Sequence, residues 1–559
     1  YSTSVMSSFT EYWKKLKMYG LDYSEEVQQR LYKAAVYNSL LIAPYGIGIA
    51  WGDNGKTNSN LTPKNELFYE LVPDEEFLFV NTYGRKGVMP KWTSRLYEGP
   101  MYALMRSDWT DDAMFTLMDS SGFGGHGHAD TNSMTVNAFR RSFLIDPGYY
   151  NYDNASPIRR YMISTRAHNT VEVDNTSQNY LLRTDNIDTA EAEKRGKKHN
   201  WVTNGAYDFF SVTSGAYDSI DPETYEHVDG VKHRRSVVML KPDFWIVSDL
   251  LTPPENETAH TYRQLWHMSA ASNMGTDTEK NLIYSDFSSG ANMKIVSADT
   301  GASLVKEMGY DTFSWGVAEE APYAYYMKQD VTGKETFDAV LFPYKTEGDV
   351  SVERIDLGVP TYDATAMKIT STVDGTTNNT YYMLDYDHEA GATHTFGQYE
   401  TDAELALVRE NADGTVAEAI INGGSYIKNA SGKVVLKASE TVGNLSFEQE
   451  GSSIKLQADD AVDIKQVAVM SNGNIKNVFL NGSAIRFYVE NDQLVFSREK
   501  GDVVEDNDPS GNRGGVTGGG GGGATDPKPT ETPKPTDTPK PDDDKTFNDI
   551  EGHWAEEAV

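Results

Sequence analysis

The period of the hydrophobic pattern changes near residue 100, and that change limits this chain more than any other feature. Before it, apolar residues recur at spacings of three and four: Val5, Phe9, Trp13 and Leu16, then Val27, Leu31, Ala34, Ala35 and Leu41. This is the stripe of an amphipathic helix. Gly20 is a natural stop for the first helix, Ser24 a natural N-cap for the second, and Pro44 with Gly46 its end. Thr62-Pro63 reads as the start of a further helix carrying Leu67, Phe68 and Leu71. After the change, residues 102–109, 133–139 and 171–173 follow the period of two expected of strands. Residues 236–240 and 244–250 flank Lys241-Pro242-Asp243 as a hairpin with a proline turn.

The expected fold class is therefore multidomain α+β. The end of an all-helical domain (1–95) leads into a large antiparallel assembly of stacked sheets (96–400) and a smaller β-sandwich (401–500). In the last, residues 416–421, 434–436, 454–456, 475–480 and 494–497 read as short strands between turns. Residues 501–545, with the glycine run 518–523 and repeated Thr-Pro-Lys-Pro, have nothing to bury and read as a disordered linker. Residues 546–559 turn apolar and helical again.

At 559 residues the chain is too long for one core. It has no cysteine, so disulfides, thiolate metal sites and cysteine nucleophiles are excluded, and any metal must sit on His, Asp, Glu or backbone oxygen. A net charge of −33 argues against nucleic acid, which needs clustered cations. An anionic substrate is still compatible, because Arg140, Arg141, Arg159, Arg160 and Arg166 can reverse the field inside one cleft. No apolar run approaches the roughly 20 residues of a membrane span. Tyr1 is the first residue and the chain stops within a helix-like segment, so a longer natural chain is expected.

The densest chemistry lies between residues 126 and 168: His126-Gly-His128, Asp130, Asp146-Pro-Gly148 and His168. If 126 and 128 occupy a strand, both imidazoles face one site, one on a metal and one free for proton transfer. Two imidazoles and a carboxylate suit a borderline cation such as zinc. Asp130 reads as a hydrogen-bond partner orienting one imidazole, with a turn residue as the alternative. Trp266 and His267 read as core or wall.

Three stretches carry a resemblance: Gly124-Gly-His-Gly-His-Ala-Asp-Thr-Asn-Ser133, Phe143-Leu-Ile-Asp-Pro-Gly-Tyr149 and Ser164-Thr-Arg-Ala-His-Asn-Thr-Val-Glu-Val-Asp174. Together they resemble the heparinase II/III-like polysaccharide lyases, over about residues 1–400. The resemblance implies the C-terminal part of an incomplete (α/α) toroid, antiparallel sheets, a substrate cleft between them, and zinc in the β-domain. By motif, His128, Asp146 and His168 match its metal ligands and His126 its catalytic histidine, while Tyr1 fits best the place of its catalytic tyrosine. The zinc's part is structural. The family's carboxylate-neutralising residue on an earlier helix has no counterpart here, so this piece is expected to be inactive alone. The implied activity is β-elimination on a uronic-acid polysaccharide, with Arg159, Arg160 and Arg166 as candidate partners for its acid groups.

The tail adds a location. Phe547, Asp549, Ile550, His553, Trp554 and Ala555 resemble the opening of an S-layer homology module. That implies an extracellular enzyme held on a cell-wall polymer of a Gram-positive type envelope. Two competing readings are a cell-surface glycan-binding protein without catalysis and a cupin-type metal enzyme, whose β-barrel also carries His-x-His.

Overall fold

Both patterns form structure on the side of residue 100 where they occur. The computed structural model describes residues 2–40, 42–46, 49–50, 52–53, 69, 73–82, 84–121, 127–178, 196–220, 227–255, 258–459, 466–490 and 493–497. All of them belong to one unit, 1–503. The expected linker and the expected S-layer homology opening lie outside the described residues, as does the helix expected from 62.

Helix α1, Ser2–Met18, stops where Gly20 takes a φ of 69°. Helix α2, Glu25–Leu40, starts on Ser24, whose Oγ accepts the Val27 N–H at 3.4 Å. Of the expected apolar stripe, Leu31 is buried, whereas Phe9 is exposed and meets the Tyr23 ring edge to face. A short helix, α3 (Glu75–Asn81), spans only seven residues, too few to show a repeating stripe. It forms on its cap: Asp74 Oδ1 accepts the Phe77 N–H at 2.7 Å and Oδ2 accepts the Tyr32 hydroxyl at 2.7 Å, tying α3 to α2. Helix α4, Pro157–Met162, has Ser156 as N-cap and proline in its first turn.

Among the described residues the strands form four larger sheets, of five, eight, four and fourteen strands. The eight-stranded sheet is the middle layer, and alternation shows why. In its strand Lys232–Leu240, Val237 and Met239 enter a core shared with the five- and four-stranded sheets, while Val238 and Leu240 enter a core shared with the fourteen-stranded sheet. Its neighbour Phe244–Thr252 divides in the same way, with Trp245 and Val247 on one side and Phe244 and Ile246 on the other. A strand apolar on both faces reads as a run, Val-Val-Met-Leu, rather than as alternation. The two strands form the expected hairpin, with Leu240 opposite Phe244.

The boundary drawn at residue 400 does not coincide with a break in the sheets. Strand Thr376–Asp385 pairs with Leu405–Asn411, and Ala366 and Met383 share a core with Phe447 and Leu456. Strand Val416–Asn429 is also longer than its expected end at 421. Gly423-Gly424 looks like a turn in sequence, yet here Gly424 lets the backbone of Ala403 approach to where a Cβ would sit only 2.5 Å away. The strand bulges and continues.

One buried ion pair links the middle sheet to the loops ahead of it. Arg235 lies on Asp249 through Nε to Oδ1 at 2.7 Å and Nη2 to Oδ2 at 2.8 Å, and both residues are fully buried. Its Nη1 donates to the carbonyls of Asn132 (2.8 Å) and Asn169 (2.6 Å). Gln264 and His233 complete the carboxylate's shell at 2.8 and 2.7 Å. Removing one partner leaves a buried charge unpaired. Asp249→Ala should therefore destabilise the protein by about 3–5 kcal/mol, read from the midpoint of chemical denaturation. An unchanged midpoint would contradict the role given to this pair.

Candidate metal centre

Three segments meet at the seam between the five- and four-stranded sheets. His128 lies in the loop entering strand Ser133–Ala138, Asp146 follows strand Arg141–Leu144, and His168 caps the short helical turn Thr165–Ala167 before strand Val171–Val173. The loop is stitched to the third segment by Ala129 N–H to Ile163 O (3.0 Å), Thr165 Oγ1 to Ala129 O (2.8 Å) and Gln178 Nε2 to Thr131 O (2.9 Å). Asn132 turns the chain with a φ of 64°, a conformation asparagine tolerates.

His128, Asp146 and His168 are all buried, and one ligand atom from each lies within 4.8 Å of the others. The hydrogen bonds around them assign the imidazole lone pairs. His168 Nε2 faces the Met162 carbonyl at 3.1 Å, so it carries the hydrogen. Nδ1 then faces Asp146 Oδ2 at 2.9 Å, and a neutral ring there opposes lone pair to lone pair. His128 Nε2 faces Asp53 Oδ1 at 3.1 Å, which leaves its buried Nδ1 without a partner. A cation between the rings satisfies both nitrogens and the carboxylate, and metal-bound histidines commonly spend their other N–H in this way. The donor set thus fits a divalent ion.

The charges agree. Burial would raise Asp53, but hydrogen bonds from His128 and Arg159 hold its carboxyl down at about 2. Burial pushes the His128 imidazole down, favouring the neutral form a ligand needs. Asp119 is pushed up by burial to about 6, and Asp130 well above the carboxylate range by burial and then by Asp119 and Asp146. Carboxylates crowded in this way are relieved by a nearby cation. Asp146 remains below its ordinary value despite burial, held by His168 and His128.

The structure distributes the other expected residues unevenly. His126 and Tyr1 lie outside the described residues. His128 is in a loop rather than a strand, so the shared-face argument for 126 and 128 does not apply at 128. Arg159 is buried against Asp53 and orients the carboxylate that orients His128. Arg160 is exposed and donates to the carbonyl of Ala155 at 3.1 Å. Arg166 grips Glu172 through two bonds, at 3.0 and 2.7 Å, and reaches Asn175 at 2.6 Å. Arg140 and Arg141 turn to Asp112 and to the Ser289 carbonyl. Asp130, expected to orient an imidazole, is instead a turn residue, its carbonyl accepting the Ser133 N–H at 2.8 Å. His267 is a wall: it stacks on Tyr323 at 4.8 Å, and burial pushes its imidazole down to about 3. Asp53, 75 residues before His128, was not anticipated; its only signal is an acid in the turn-like run Trp51-Gly-Asp-Asn-Gly55.

Part of the chain matches known proteins. Residues 99–318, which contain the whole cluster, match the family model "Heparinase II/III-like, C-terminal". A heparin-sulfate lyase of Pedobacter heparinus is 22% identical over 303 residues, covering 53% of this chain and 42% of that protein. One from Bacteroides stercoris is 18% identical over 395 residues, covering 69% and 55%. The chain spans about half the length of these relatives. The crystal structure of heparan sulfate lyase HepC from Pedobacter heparinus superposes with a TM-score of 0.58 at 20% identity, over 67% of this chain and 56% of that one. A structure titled Heparinase III gives 0.57 at 18% identity, over 68% and 58%. These likenesses establish the fold.

Metal analysis of the purified protein should find about one equivalent of a divalent ion. His128→Ala and His168→Ala should lose it, acidification should release it as the imidazoles protonate, and Asp53→Asn should weaken it by about 10–100-fold. Full metal content in His128→Ala would contradict the ligand set.

Proposed function

We propose that the protein is a polysaccharide lyase that cleaves a uronic-acid-containing polysaccharide by β-elimination. The observation that carries the reading is that the His128, Asp146 and His168 cluster falls inside the segment matching the heparinase II/III-like family. The names of the relatives make heparan sulfate the first polymer to try.

The chemistry sets what the site must supply. The proton on carbon 5 of a uronate is acidic only if the adjacent carboxylate is neutralised as the enolate-like charge develops. A base removes that proton, and an acid protonates the glycosidic oxygen departing from carbon 4. In this reading His126 and a tyrosine, for which Tyr1 is the candidate, share these roles. No water is added, and the product is an unsaturated uronate, unlike the product of hydrolysis by paired carboxylates. His128, Asp146 and His168 would hold zinc, whose chemistry here is to cross-link the strand-entry loops that present His126. The helices before residue 95 would be the end of a toroid walling the cleft. Arg160 is the arginine we assign to the substrate's acid groups, since Arg159 and Arg166 have carboxylate partners.

The natural full-length protein should raise ultraviolet absorbance on at least one of heparan sulfate, chondroitin sulfate, hyaluronan and alginate. His126→Ala should keep metal and fold while lowering turnover by a factor of about 100 or more. Near wild-type turnover in that variant would remove His126 from the mechanism, and no unsaturated product from any uronate polymer would remove the lyase reading.

We also propose that residues 546–559 begin an S-layer homology module that holds the enzyme on the cell wall. Fractionation of the source cells should recover the protein with the envelope, and deletion after Asp544 should release it. Recovery in the cytoplasm would refute this location.

A further inference from the structure

The Asp146 loop is stitched to the tip of a long hairpin, Ser303–Ser314 with Val317–Val331. Thr312 donates to the Pro147 carbonyl through its N–H (3.2 Å) and its hydroxyl (2.6 Å), and the Gly316 N–H donates to the Tyr150 carbonyl at 2.8 Å. Trp315-Gly316 forms the turn, with Gly316 at a φ of 70°. These bonds fix Trp315 relative to a candidate metal ligand.

There Trp315 joins two tyrosines. Its ring lies 5.6 Å from Tyr149 and 5.2 Å from Tyr152, edge to face, and the tyrosines are nearly parallel at 6.1 Å. Trp315 is 56% exposed and Tyr152 53% exposed, so this cluster does not simply seal a core. Arg159 stands 5.5 Å over the Tyr152 ring and continues to Asp53 and His128, so the shelf and the metal centre share one chain of contacts.

Rigid, half-exposed aromatic faces suit a ligand with a flat apolar face and polar edges, and a pyranose has both. The net charge of −33 disfavours nucleic-acid bases as the stacking partner. The flanking charges give the sugar an orientation. Glu319 and Glu320, exposed on the hairpin, repel an anionic edge. Arg160, anchored by the Ala155 carbonyl in the Tyr152 loop and without a carboxylate partner among the described residues, attracts one.

We propose that Tyr149, Tyr152 and Trp315, with Arg160, form a stacking subsite for a pyranose unit of an acidic polysaccharide. The choice of polymer class rests on the lyase reading above; the stacking surface does not.

The test separates binding from turnover. The natural full-length protein and its Trp315→Ala, Trp315→Phe and Tyr152→Ala variants are run by affinity electrophoresis in gels holding heparan sulfate, chondroitin sulfate, hyaluronan or alginate. Wild type should be retarded by at least one polymer. Trp315→Ala and Tyr152→Ala should each weaken that binding by about fivefold, the scale of one lost aromatic contact, and Trp315→Phe should stay within about twofold. Where the polymer is cleaved, the loss should fall on KM more than on kcat. Retardation without turnover would overturn the lyase reading and leave the subsite standing. Turnover with Trp315→Ala matching wild type in KM and binding would overturn the subsite and leave the lyase reading standing. Retardation by none of the polymers would also overturn the subsite.

Discussion

Everything at the candidate site depends on a cation buried in the middle sheet. Arg235 spends its Nε and Nη2 on Asp249 and uses Nη1 to hold the carbonyls of Asn132 and Asn169. Asn169 follows His168, and Asn132 turns the loop that carries His128. These two segments are thereby hung on one guanidinium, and the Asn169 N–H joins them again through Ser133 Oγ, 36 residues away. Burial opposes the charge on Asp249, but Arg235 and His233 hold its carboxyl well below the ordinary range. Such a pair gives little net stability relative to an apolar replacement and is valuable for the geometry it imposes.

The site itself is organised by where hydrogens are spent. With one ring N–H aimed at Asp53 and the other at the Met162 carbonyl, both histidines turn a lone pair toward Asp146 or its surroundings. Arg159 neutralises Asp53, so the outer carboxylate orients His128 without adding net charge to the centre. The Thr312 and Gly316 bonds carry this order outward to the aromatic shelf.

Legibility followed the range of each signal. His128, Asp146 and His168 sit in three short motifs within about forty residues, so residue type and order were enough to group them, and the structure brings them together. Asp53 was not legible because its partner lies 75 residues on and no local pattern marks it. Arg159 and Arg166 were visible as cations but not as members of ion pairs, since Asp53 and Glu172 meet them only through the fold or a turn. Strand 171–173 and the 241–243 hairpin were legible from period and turn chemistry. The run of strand Val416–Asn429 past residue 421 was not, because Gly423-Gly424 spells a turn locally while close contact with Ala403 keeps it in a strand.

The central claim is that the two imidazoles and Asp146 are arranged around a single ion. Anomalous diffraction at the zinc absorption edge, from crystals of the full chain grown without added metal, tests it most directly. The account expects one peak at about 2.0–2.2 Å from a nitrogen of His128, a nitrogen of His168 and an oxygen of Asp146, with Asp53 still on His128 Nε2. An empty centre with His168 Nδ1 still on Asp146, or a peak elsewhere in the chain, would contradict it.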